Sequence, residues 1–164
     1  MSVPEVGPTE FDVDGRETDR FTAVVADVEQ RVRRGLVARF GVEVGNDSCN
    51  DAMEWAWSHQ GQLISADNPA GLLYRVGQSS SRRYLRWRRP PRLPAETTSD
   101  NPTTELGLGE AMTSLSEAQR VSVLLVHGHR YTYDEVAEIL GVSTAAVRNH
   151  VHRGLRHLRI QLGE

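Results

Sequence analysis

The sequence predicts an all-α protein of two small helical domains joined by a flexible linker, the C-terminal one a helix-turn-helix. Three observations predict it. Apolar residues recur every three or four positions through most of the chain, and no stretch alternates convincingly like a strand. Two polar stretches rich in turn formers and acidic residues, 1–19 and 90–111, interrupt that period. Two Ser/Thr-x-x-Gln/Glu boxes, Ser116 with Gln119 and Thr132 with Glu135, mark helix starts near the C-terminus.

Residues 1–19 read as an acidic disordered tail, and the first folded block spans 20–89. Phe21, Val24, Val25, Val28, Val32, Leu36 and Phe40 place one apolar stripe along a helix that Gly41 and Gly45 end. The segment "NDSCNDAMEWAW" opens a second helix, with Asn46 and Asp47 at its N-terminus to cap free amides. Cys49, Met53, Ala56 and Trp57 are then expected to face inward, and Asp47, Asn50, Asp51 and Glu54 outward. A third helix starts at "DNPAG", capped by Asp67 or Asn68 with Pro69 in its first turn, and continues to Arg89. One side of it carries Arg75, Gln78, Ser79, Arg82, Arg86 and Arg89, and the other Leu73, Val76, Ser80, Tyr84 and Trp87. A basic stripe attracts phosphates by counterion release. Tyr84 and Trp87 fit two roles at this spacing, stacking on exposed bases or filling a core.

Residues 90–111 read as a linker and 112–162 as the second block. Ser116 starts one helix, which carries Val121, Val123, Leu124, Leu125 and Val126. Thr132 starts the next, Gly141 closes it, and Ser143 caps the last helix after Val142 alone. Two helices joined by so short a glycine turn are a helix-turn-helix signature. In the last helix Val147, Val151, Leu155, Leu158 and Leu162 form a buried stripe. The small residues Ser143, Thr144 and Ala145 permit close approach to a groove wall. Arg148 and Asn149 stand where a recognition helix reads base edges, arginine suiting guanine and asparagine adenine. His152, Arg153 and Arg156 lie farther along, where phosphate contact orients the protein without reading sequence.

The 164 residues carry a net charge of −3, and all 19 cations are arginine. A free-standing DNA binder is usually basic. A lone cysteine, Cys49, excludes an internal disulfide and fits a reducing cytosol. No apolar run reaches membrane-spanning length and no signal core opens the chain, so a cytoplasmic protein without membrane insertion is expected. His150 and His152 point to different helix faces and no second cysteine exists, which argues against zinc. With no phosphate loop and no nucleophile–base pair, the sequence predicts no enzyme and no cofactor.

The string "LSEAQRVSVLLVHGHRYTYDEVAEILGVSTAAVRNHVHRGLRHL" resembles region four of the small extracytoplasmic-function (ECF) sigma factors of bacterial RNA polymerase, within the sigma-70 family. "NDSCNDAMEWAW" followed by "NPAGLLYRVGQSSSRRYLRWRR" resembles their region two. The resemblance implies a subunit that binds core RNA polymerase and directs initiation at promoter DNA. Region two would dock on the β′ coiled coil through Asp47, Asp51 and Glu54. It would recognise and melt the minus-ten element through Arg75, Gln78, Ser79, Arg82, Arg83 and Arg86. Region four would read the minus-thirty-five element through the last helix and contact the β flap. The family commonly has an anti-sigma factor as a further partner. This chain departs from the family pattern in having Gln78 and Ser79 in place of an Arg-Asn pair, Arg83 in place of a carboxylate and His150 in place of an arginine. The alternative is a stand-alone helix-turn-helix regulator whose first block senses or dimerises.

Overall fold

The computed structural model describes residues 11–87 and 105–163, and every regular element among them is a helix. The N-terminal unit consists of α1 (Phe11–Phe40), α2 (Val42–Ser58), the short α3 (Gln60–Ile64) and α4 (Pro69–Trp87). The long helices α1, α2 and α4 pack into a three-helix bundle. The predicted α1 stripe supplies much of the core: Phe21, Val28, Val32, Leu36 and Phe40 are buried with Cys49, Ala56, Leu63, Leu73 and Tyr74. A fully buried Leu or Phe side chain contributes about 1.5–3 kcal/mol.

Three features of this unit differ from the sequence reading. Helix α1 begins at Phe11, so residues 11–19 of the expected tail are helical; residues 1–10 lie outside the described residues. Each residue added to an existing helix gains a hydrogen bond without a new nucleus, and so α1 runs on past its buried stripe. Helix α2 begins at Val42, and only Gly41, at φ 83°, separates it from α1. Gly45, Asn46 and Asp47 are thus inside α2 and cap nothing. A Cβ on Gly45 would lie 2.5 Å from the Val37 backbone, so glycine there permits close crossing of α1 and α2. Trp57, expected in the core, is 55% exposed and meets Phe21 edge-on at 4.8 Å. Trp55 packs on the core in its stead and stacks on His59 at 4.4 Å.

The C-terminal unit consists of α5 (Glu105–Thr113), α6 (Glu117–Val123), α7 (Tyr133–Leu140) and α8 (Thr144–Leu162). Helices α5, α6 and α7 all pack on α8. Residues 105–111 of the expected linker therefore belong to this unit, while 88–104 lie outside the described residues. Both predicted capping boxes form. Gln119 N–H donates to Ser116 Oγ at 3.3 Å, and Glu135 N–H donates to Thr132 Oγ1 at 3.2 Å. After α6 the chain makes a π-helical turn, Leu124–Gly128, and reverses at Arg130 with φ 58°. Val147, Val151 and Leu158 of the α8 stripe are buried and Leu155 half-buried, but Leu162 is 42% exposed. The buried cluster that α5 and α6 form on α8 includes Leu158, whereas beside Leu162 α5 places Gly107, which has no side chain to cover it.

The two units are in contact. Ile139 of α7 is fully buried among core residues of the N-terminal bundle, and Ala38 of α1 joins the C-terminal core.

Candidate nucleic-acid interface

The helix-turn-helix is built by local chemistry. At the end of α7, Gly141 adopts the left-handed conformation, φ 66° and ψ 36°. Val142 N–H then bonds the Ala137 carbonyl at 3.1 Å, and Gly141 N–H bonds that of Glu138 at 3.4 Å. This is the Schellman arrangement, and it satisfies two carbonyls the helix end would otherwise leave unpaired. Ser143 Oγ accepts from Ala146 N–H at 3.1 Å and starts α8. Thr144 Oγ1 donates to Asp134 Oδ1 at 2.7 Å, tying the first turn of α8 to that of α7. Thr144 thus braces the two helices against each other, which the sequence reading did not foresee. At the start of α7 the Glu135 carboxylate accepts from Thr132 N–H at 2.8 Å and from its hydroxyl at 3.0 Å. These hydrogen bonds hold Glu135 below the usual carboxylate range.

Ala145, Arg148, Asn149, His152, Arg153 and Arg156 are all exposed. Helix α8 contains no acidic residue, so its open face is basic along its length. The Arg148 guanidinium lies over the Tyr133 ring, 5.7 Å from its centroid. That contact lends the side chain a preferred direction at little cost to its reach. His150 faces away, lining a small cavity between the two units. Close packing of α8 on α6 depends on Gly154, which no sequence signal singled out. A Cβ there would lie 2.8 Å from Val123 Cγ2 on α6.

Helix α4 offers a second basic face. Asn68 caps it, Oδ1 accepting from Gly71 N–H at 2.7 Å. Arg75, Ser79, Arg82 and Arg86 are exposed, and Gln78 is half-buried. Arg83 is exposed but paired: its Nη2 reaches Asp51 Oδ2 at 2.7 Å. Tyr84 OH donates to the same oxygen at 2.9 Å, and the Tyr84 ring packs on the core. The structure therefore joins Asp51 and Arg83, which the sequence reading had assigned to different surfaces, and gives Tyr84 a structural role. On α2, Asp47 is half-buried and Glu54 exposed. Asp51, Glu54, Ser79 and Arg83 line a shallow cleft between α2 and α4 floored by Trp55 and Val76. Among the described residues no group of His, Cys, Asp or Glu is placed to hold a metal ion, and no helix is long and apolar enough to cross a membrane.

Residues 106–158, from α5 into α8, match the family described as sigma-70, region 4. The match spans the C-terminal unit, which is similar to region 4 of the sigma-70 family. The region 4 match begins at the start of α5, in accord with the packing of that helix on α8. Over most of its length the chain is also similar in fold to a solved structure, the sigma factor RpoE in complex with the anti-sigma factor NepR from Bartonella quintana. The TM-score is 0.60 at 16% sequence identity, covering 87% of this chain and 96% of that one. No curated protein matches the chain in sequence. The region 4 match, with the fold, supports a role as a sigma factor.

Proposed function

We propose that this protein is an ECF-type sigma factor that binds core RNA polymerase and directs initiation at promoters with minus-ten and minus-thirty-five elements. The observation that carries the reading is the helix-turn-helix within the matched region 4. Its turn is held by the Schellman motif, and Arg148 and Asn149 stand exposed one turn into α8. A helix presented this way enters the major groove through its N-terminal half. Arg148 and Asn149 read base edges of the minus-thirty-five element, Ser143 and Ala145 allow close approach, and His152, Arg153 and Arg156 bind phosphate. Arg75, Gln78, Ser79, Arg82 and Arg86 on α4 engage the minus-ten element, and Arg83 does so in exchange for its bond to Asp51. Holding an unstacked base there offsets a few kcal/mol of unstacking. Asp47 and Glu54 on α2 face the β′ coiled coil, and region 4 contacts the β flap. An anti-sigma factor is a further partner, in keeping with the complex in which the similar fold was solved.

The protein works in the cytoplasm, where polymerase and DNA are. Delivery to DNA by polymerase accounts for the small net negative charge, since α8 and α4 need not find DNA by long-range attraction alone. Run-off transcription with core polymerase and a promoter library tests the proposal. A transcript dependent on this protein is expected. A protein that shifts promoter DNA by itself and never binds core would instead be a stand-alone regulator.

A further inference from the structure

Arg148 and Asn149 stand together on α8, yet they differ in what directs them. Asparagine is short, whereas arginine loses more conformational freedom on ordering than almost any other side chain. An arginine left free in solvent gives up much of that freedom when it settles on one base. Arg148 is exposed, but its guanidinium carbon lies 5.7 Å from the centroid of the Tyr133 ring. Among the described residues no other arginine of α8 lies over an aromatic ring, and Arg148 has no acidic partner. The ring is itself held in place. Tyr133 is the first residue of α7, directly after the Thr132 cap, and is half-buried against the core to which Val136, Val147 and Val151 belong. Its neighbour Asp134 accepts from the Thr144 hydroxyl at 2.7 Å, which ties the first turn of α7 to the turn of α8 just before Arg148.

The kind of contact matters as much as its presence. A carboxylate would direct Arg148 too, but it would take up the N–H edges that a bidentate pairing with guanine O6 and N7 uses. An aromatic ring attracts the cation through its face and leaves those edges available. Asp134, the acidic residue next to Tyr133, is engaged by Thr144. We propose that Tyr133 is a positioning residue for base reading: its ring holds the Arg148 guanidinium toward the groove and so sets how strongly the base pair under Arg148 is discriminated. Tyr133 itself touches no base in this role. A ring contact at an exposed site favours the held direction about two- to fivefold. That factor enters discrimination at one base pair and not binding to DNA at large, which the phosphate contacts of α8 carry. The inference rests on the proposed reading of Arg148 as a base-reading residue of the minus-thirty-five element.

The experiment uses the full-length chain with core polymerase and promoter fragments in which each base pair of the minus-thirty-five element is varied in turn. Tyr133→Leu and Tyr133→Met remove the ring and keep apolar bulk on the core, so a folding defect in one is checked by the other. Tyr133→Phe keeps the ring and removes only the hydroxyl. Each is measured alone and combined with Arg148→Ala. The Leu and Met variants are expected to lose about two- to fivefold of discrimination at the base pair where Arg148→Ala loses it, and at no other. Tyr133→Phe is expected to retain it. With Arg148→Ala already present, removing the ring is expected to change nothing further at that base pair; a general loss of packing would appear in both backgrounds and cancel. Unchanged discrimination in the Leu and Met variants overturns the proposal. So does a loss spread over all sequences, or one that Tyr133→Phe shares, since either makes Tyr133 a phosphate or structural contact. Arg148→Ala without a loss confined to one base pair overturns the reading beneath the proposal, and the proposal with it.

Discussion

Replacing Arg148 by alanine separates reading from folding. The side chain is exposed, and its one described contact is the Tyr133 ring at 5.7 Å. An exposed cation–π contact is worth about 0.5–1 kcal/mol, so truncation should cost at most that in stability. In a chain of this length 1 kcal/mol lowers Tm by about 2–4 °C. A bidentate arginine–guanine contact discriminates by about 1–3 kcal/mol, which corresponds to roughly 5- to 150-fold in affinity for the cognate element. Binding of the holoenzyme to promoter fragments, with every base pair of the minus-thirty-five element varied in turn, measures the effect. The expected result is a loss confined to one base-pair position, with non-cognate DNA bound almost as before. Arg156→Ala should weaken binding to all sequences alike and lower the salt slope by about one unit. A uniform loss for Arg148→Ala as well, or a drop in Tm of more than about 5 °C, would refute the reasoning. The first would make Arg148 a phosphate contact and the second a structural residue.

Other perturbations test the remaining elements. Ser143→Ala removes the acceptor for Ala146 N–H and should cost about 1 kcal/mol of stability, read by thermal or urea unfolding; no change would mean the α8 cap is dispensable. Gly154→Val drives a side chain into Val123 and should cost about 1–3 kcal/mol through overpacking, lowering the denaturation midpoint and DNA binding together. Glu54→Arg should weaken core binding with little effect on Tm, while Asp51→Arg should lower both, because Asp51 also holds Arg83 and Tyr84. Equal effects of the two on Tm, read beside a core-binding titration, would show that the pair is structurally idle. Glu135 sits below its ordinary value of 4.5, so its stabilisation is complete above that pH and is lost as pH falls through the lower folded value. Thr132→Ala should therefore flatten the fall of Tm between about pH 5 and pH 3, and an unchanged slope would count against the capping box as its source.

Much of the C-terminal unit was legible in the sequence because its punctuation is local. Each capping box joins residues three apart, and Gly141 and Ser143 act within one turn of where they stand. The exposed residues of α8 were legible for the same reason: once Val147 and Val151 are known to be buried, Arg148, Asn149 and His152 must face out. The N-terminal unit was read less well where a local signal had two meanings. Gly45 resembled a helix stop, but the crossing of α1 and α2 needs a residue without a side chain there. Trp55 and Trp57 both suit an apolar face, and contacts with α1 and α4 decided which one is covered.

The sequence by itself determined an all-helical chain, the ends of α7 and α8, the basic open face of α8 and the resemblance to sigma-70 region 4. Only the tertiary structure decided that Asp51 is tied to Arg83, that Thr144 braces the turn, and that Glu138 and Ile139 close the two units on each other. The physical reason is separation along the chain. Asp51 and Arg83 are 32 residues apart and Arg31 and Glu138 are 107 apart, so no local window holds both partners. Packing brings them together, and whether a charge stays free for a partner is settled there.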